Sequence, residues 1–171
     1  MIDHVVVAVP ACDEEELIDA CLESVGIALD HPDLAHTTGV IVVAADACTD
    51  RTGRRVWKRR RRDPRVILTS GHWRSAGRAR QAATELGLMR TGALQHVWVA
   101  TTDADSVVPH DWLAGQLALE QQGWVAVAGI VRLTDDASDD VRDHFVRTYE
   151  VPPDGRHSHV HGANLGVRAD A

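Results

Sequence analysis

Residues 39–46 read Gly-Val-Ile-Val-Val-Ala-Ala-Asp, an almost unbroken apolar run closed by one carboxylate. A strand half in water alternates apolar and polar side chains, so a run apolar throughout belongs to a strand covered on both faces, as in a parallel sheet. Residues 5–9 behave alike and stop at Pro10, which cannot donate to a sheet ladder. Three more strands are expected, at 65–69, 96–101 and 124–133. The segments between them carry helical periodicity. After the first strand, Asp13 stands as an N-cap, acids 14–16 load the first turn, and Leu17, Ile18, Cys21, Leu22, Val25 and Leu29 recur at three- and four-residue steps. Further helices are expected over 51–62, over 78–89 and after Pro109, with a short one through Phe145 and Tyr149. Residues 162–167 read as a glycine-rich turn into a last strand, and no Asn-Gly hairpin signal intervenes. The expectation is an α/β fold: an open, mainly parallel sheet with helices on both faces.

Length and composition limit the alternatives. The 171 residues suit one domain, residues 1–171, and the 44% apolar content suits a chain that buries a core. No apolar run approaches the 18 or so residues of a bilayer span, so no integral membrane segment is expected. The first residues carry neither a basic leader nor a small-residue cleavage site, from which a cytoplasmic protein is expected. Cys12, Cys21 and Cys48 fit neither a disulfide framework nor zinc spacing, and read as small buried thiols. Against a net charge of −7, residues 54–62 hold seven of the eighteen basic side chains and no acid. Residues 58–62 could serve as a nucleic-acid or anionic-membrane patch, but these side chains are expected to point into water from a surface helix of an acidic protein, and nucleic acid is not expected as a partner.

In open α/β sheets, ligands sit beyond the carboxyl ends of the strands. The conspicuous acids fall there: Asp13 and Glu14 after the first strand, Asp46 and Asp50 after the second, Asp103 and Asp105 after the fourth. Any one of them has a second reading as a helix cap. Asp103-Ala104-Asp105 is the most chemical of the three sets. In an extended segment residues i and i+2 share a side, so one carboxylate can accept from sugar hydroxyls while the other ligates a hard cation holding a diphosphate.

Taken together these segments resemble glycosyltransferase family 2, the inverting nucleotide-sugar transferases of the GT-A (Rossmann-like) fold. Residues 5–15 (VVVAVPACDEE) resemble its opening strand and P-A-x-N-E-E turn, and residues 42–52 (VVAADACTDRT) its V-V-D-D-G-S-T-D-x-T segment. Residues 77–81 (GRARQ) resemble G-x-A-R-N, residues 102–113 (TDADSVVPHDWL) the D-x-D with its following P-x-W-L, and residues 162–168 the G-x-N-x-x-x-R segment. By that resemblance Pro10, Ala11 and Glu14 line the base and ribose pocket, Asp46 bonds a uracil-like imide, and Arg80 fixes the pocket or the nucleotide. Asp103, with Ala104, faces the ribose or sugar, and Asp105 binds Mn²⁺ or Mg²⁺. The chain departs from the family at Asp13, Ala45, Ala47-Cys48 and Gln81. The family's general base follows the G-x-N segment by a few tens of residues, so it is expected beyond Ala171, with an acceptor segment missing from this chain.

His157, His159 and His161 alternate, and His161, beside Gly162, is the candidate to complete a metal shell. Of the five tryptophans most are expected in the core, with Trp73 the one placed to touch donor or acceptor. The leading expectation is a metal-dependent transferase moving a sugar from a nucleotide-sugar donor, first of all a UDP-sugar, to an unidentified acceptor. A catalytically incomplete nucleotide-sugar-binding protein and, further off, a basic-helix binding module are the alternatives. A homo-oligomer covering an exposed sheet edge stays open.

Overall fold

In the computed structural model, which describes residues 1–92, 94–133, 137–149, 157 and 160–171, β1 (His4–Ala11) lies parallel to β2 (Thr38–Asp46), paired from His4 against Thr38 to Ala11 against Ala45. On its other side β1 pairs in parallel with β4 (Val97–Thr101), and β2 pairs in parallel with β3 (Val66–Gly71). The strand alternation sorts the core by face. Val5, Val7 and Val9 point towards α1 (Ile18–Leu29), α2 (Thr52–Arg60) and α4 (Trp112–Gln121), whereas Val6 and Ala8 point towards α3 (Ala76–Thr91). Both faces are therefore covered, which is why β1 and β2 are apolar at nearly every position. Gly87 brings α3 close to the sheet, since a methyl group there would land on Val6.

The sheet has six strands in the order β3-β2-β1-β4-β6-β5. β5 (Ala126–Ala128) is much shorter than the expected 124–133, because beyond Ala128 the backbone turns to Asn164: Gly129 N–H donates to its carbonyl and Ile130 C=O accepts from its amide. β6 (Leu165–Arg168) enters antiparallel between β4 and β5. α5 (Asp139–Thr148) ends at Tyr149, whose ring stacks on Phe145 with centroids 4.5 Å apart. Asp135, Asp136, residues 152–155 and His159 lie outside the described residues.

Three local expectations change. β1 continues through Pro10 to Ala11. The backbone groups of His4 and Ala8 face β4, and the period of two turns Pro10 the same way, past Thr101 where β4 has ended, so its missing N–H breaks no ladder. Asp13 caps no helix. It has a left-handed backbone (φ 55°), and its carboxylate accepts instead from the N–H groups of Thr49 and Asp50, leaving α1 to begin at Ile18. α3 starts two residues earlier than expected, because the Ser75 hydroxyl accepts from Arg78 N–H as its N-cap, and it ends at Gly92 in the left-handed region (φ 71°).

Candidate functional site

The first two crossovers run from β1 outward to β3, then the chain returns to the opposite side of β1 as β4. This switch of direction leaves a crevice beyond the carboxyl ends of β1 and β4, the usual ligand position in an open α/β sheet. A cavity of about 240 Å³ occupies it, walled by Pro10, Ala11, Glu14, Asp46 and the Asp103-Ala104-Asp105 turn. The small side chains of Ala76 and Ala79, from the start of α3, leave that space open.

Asp46 and Asp103 are held at the cavity by side-chain bonds and Glu14 through its backbone, while Asp105 is exposed and accepts from the Ser106 hydroxyl (3.2 Å). The loops after β1 and β2 are laced together: Glu14 N–H donates to the Thr52 hydroxyl (2.8 Å), Glu15 N–H to Asp50 (2.9 Å), and Arg51 N–H to Glu15 (2.8 Å). Asp46, buried at the end of β2, accepts from the N–H groups of Arg74 and Ser75, both at 2.9 Å, which draws the loop before α3 over the crevice. Asp103 accepts from the Arg80 guanidinium at 2.6 Å, and its carbonyl accepts from the Cys21 thiol. Arg80 is held from behind by Gly162, where a methyl group would land on the guanidinium, and the Thr101 hydroxyl donates to the Gly162 carbonyl (2.6 Å).

The electrostatics are lopsided. Burial works against ionisation of Asp46, but the N–H groups of Arg74, Ser75 and Trp73, with His72 nearby, prevail and hold its carboxyl below the usual range. Burial also pushes the Glu14 carboxyl up, and the neighbouring Asp105, Asp50, Asp103 and Asp13 push it the same way. Desolvation, reinforced by Asp105 and Asp103, drives the Cys21 thiol up to about 12, so it is a hydrogen-bond donor and not a nucleophile. Four carboxylates face the cavity and one guanidinium stands behind Asp103. Carboxylate oxygens are the donor type that Mg²⁺ and Mn²⁺ prefer, but no three of these four lie within ion-sharing distance of one another. Two buried polar atoms beside the site, Arg80 Nε and Thr102 Oγ1, have no hydrogen-bond partner among the described residues.

The structure thus gathers Pro10, Ala11, Glu14, Asp46, Asp103, Ala104 and Asp105 around one space, with Arg80 joined to it through Asp103. His161 is not on the cavity wall; its ring stands tilted against Tyr149 at 5.2 Å. Trp73 packs over Gly71 and against the α3 side of the core. Among the described residues, the group close enough to share an ion is Asp13, Cys48 and Asp50, and the two carboxylates already accept backbone N–H groups as a clasp between loops. One residue without an expected role is central. Asn164 accepts from the Trp112 indole N–H (2.8 Å) and the Gln116 amide, and donates to Ile130 C=O (2.9 Å), while Gln116 accepts from the Trp98 indole (2.7 Å). Its place in the G-x-N segment was its one sequence signal, since its partners lie 34 to 52 positions away.

Residues 6–169 match the family model described as glycosyl transferase family 2, and the chain belongs to that family. No curated protein sequence matches it. Among solved structures it is similar to Staphylococcus aureus TarS 1–349 in complex with UDP, at 14% identity and a TM-score of 0.67, covering 98% of this chain and 47% of that one. It is also similar to the mannosyltransferase PcManGT of Pyrobaculum calidifontis in complex with GDP-Man and Mn²⁺, at 24% identity and a TM-score of 0.63, covering 98% and 45%. A third is Mycobacterium tuberculosis glucosyl-3-phosphoglycerate synthase with Mn²⁺, UDP and glucosyl-3-phosphoglycerate, at 19% identity and a TM-score of 0.52, covering 99% and 57%. The chain therefore spans about half the length of these relatives and shares their fold.

Proposed function

We propose that this chain forms the donor-binding part of an inverting glycosyltransferase that takes a sugar from a nucleoside-diphosphate donor, a UDP-sugar first of all, and works with Mn²⁺ or Mg²⁺. The observation that carries the reading is the convergence of Glu14, Asp46, Asp103 and Asp105 on one cavity at the switch point of the sheet. A diphosphate brought there meets like charge, and the two can share the space only with a cation between them. Asp105, backed by Glu14, is assigned as the ligand of that cation. When bound, it neutralises the diphosphate that departs as the acceptor oxygen bonds the anomeric carbon.

The protein's own residues bind and orient. Asp103 has one oxygen engaged by Arg80, which leaves the other for a ribose or sugar hydroxyl. Both Asp46 oxygens accept a backbone N–H, and each keeps a lone pair for an imide N–H of the base. Pro10 and Ala11 supply the apolar wall on which base and ribose rest.

Isothermal titration with UDP, with and without Mn²⁺, tests the proposal. Binding in the range of about 10 μM to 1 mM, dependent on Mn²⁺ and weakened at least roughly tenfold by Asp105→Asn, is the expected result. No heat with either UDP or GDP in the presence of Mn²⁺ overturns it. Hydrolysis of the bound donor separates a transferase from a protein that only binds.

A further inference from the structure

α2 lies on β3, the edge strand, and beside α1, with Thr52 and Val56 turned into the core. Its cations divide into two sets. On the side facing α1, Arg55 pairs with Asp19 (2.8 Å) and Arg59 with Glu23 (4.0 Å), while Arg51 pairs with Glu15. Arg54, Lys58, Arg60, Arg61 and Arg62 are exposed, and among the described residues no carboxylate lies within ion-pair distance of them. Arg54, Trp57, Lys58 and Arg61 stand at i, i+3, i+4 and i+7, a single stripe on the side of the helix away from Val56. Trp57 is 54% exposed, and the Arg61 guanidinium sits 5.1 Å from its ring centroid.

We propose that this stripe docks the protein on an anionic membrane surface. An indole half in water gains by settling at the level of lipid headgroups, where its ring meets acyl chains and its N–H stays hydrated. Arg61, stacked on the ring, is carried to the same depth and faces lipid phosphate. The five exposed cations without a carboxylate partner, Arg54, Lys58 and Arg61 in the stripe with Arg60 and Arg62 flanking it, fall within the about four to eight Lys and Arg on a helix that select anionic lipid. Duplex nucleic acid is the competing partner: a protein making roughly six to ten phosphate contacts binds it strongly, α2 offers five unpaired cations, and the half-exposed Trp57 has no role in contacting a duplex backbone. The nearest acids, Glu15, Asp19 and Glu23, are offset in turn by Arg51, Arg55 and Arg59, and more distant charge is screened over about 8 Å at physiological ionic strength. No cavity-wall residue belongs to the stripe. The inference does not depend on the donor-site reading.

Sedimentation with phosphatidylcholine vesicles, with and without about 30% phosphatidylserine, tests it on the whole chain. Binding is expected to be at least roughly tenfold stronger to the anionic vesicles, to fall away at about 0.5 M salt, and to drop at least roughly tenfold in R54E/K58E/R61E. Trp57→Ala is expected to weaken it several-fold at unchanged charge, which separates anchoring from simple attraction. All four side chains are exposed, so melting temperatures should match the parent, and Trp57→Ala tests the stripe by itself. Equal partition to both vesicles, retention of binding in the charge-reversed variant, or tighter association with duplex DNA than with anionic vesicles overturns the proposal.

Discussion

Asp46 and Glu14 sit at the ends of neighbouring strands and are perturbed in opposite directions. Asp46 is held ionised by N–H groups from a loop 28 and 29 positions along the chain, and Glu14 is discouraged from ionising by burial and by the aspartates around it. For Glu14 the folded state keeps its proton to higher pH than the unfolded state, so stability falls as pH rises through that window and the ionised carboxylate strains the fold at neutrality. Glu14→Gln is therefore expected to raise the melting temperature at pH 7 by about 2 °C, while weakening cation binding. The gain should vanish below the ordinary glutamate value of 4.5, where both side chains are neutral. Melting curves from pH 4 to 8 check it, and a gain that persists at the acid end contradicts this account. The apolar runs showed where such acids stand, since a buried strand must end where polar groups can meet water. They did not show that Asp13 would clasp a loop instead of capping α1, because that choice depends on Thr49 and Asp50 N–H groups brought in by another crossover.

Among the elements, β6 is the one whose place follows least from its own residues. Leu165–Arg168 is four residues long, yet it separates β4 from β5 and completes the sheet. Asn164, immediately before it, satisfies Trp112 and Gln116 of α4 and the chain leaving β5 at once. Asn164→Ala leaves the Trp112 indole N–H and the Ile130 carbonyl unpaired, which costs about 2 kcal/mol and should lower the melting temperature by roughly 5 °C. Thermal denaturation measures it. A drop of less than about 1 °C would show that water replaces the amide. The 161–164 turn also carries Gly162 against Arg80, so the same change is expected to loosen the Arg80–Asp103 pair at the cavity. By contrast β1 and β2 were legible from their unbroken apolar runs and α1 from its three- and four-residue apolar steps, because burial on two faces or on one is recorded among neighbours in the chain.

Over the whole molecule, charge is segregated: carboxylates gather at the crevice, and unpaired cations line the outer stripe of α2. No helix among the described residues is long and apolar enough to cross a membrane, so a bilayer can be met by these helices only at its surface. A cation that binds the crevice relieves repulsion present only in the folded chain and stabilises it by mass action. At about ten times its dissociation constant, Mn²⁺ should raise the melting temperature by roughly 4 °C; EDTA should reverse the shift and Asp105→Asn remove it. An equal shift in the Asp105→Asn protein would place the ion elsewhere. The parallel α/β class, the strand ends bearing acids and the resemblance to family 2 could all be read from residue order, because apolar period and local motif are properties of neighbours in the chain. The antiparallel insertion of β6, the pairing of Asp46 with the loop before α3 and the division of α2's cations into paired and unpaired sets could not. Each depends on which distant segments the packed core brings within a hydrogen bond of one another.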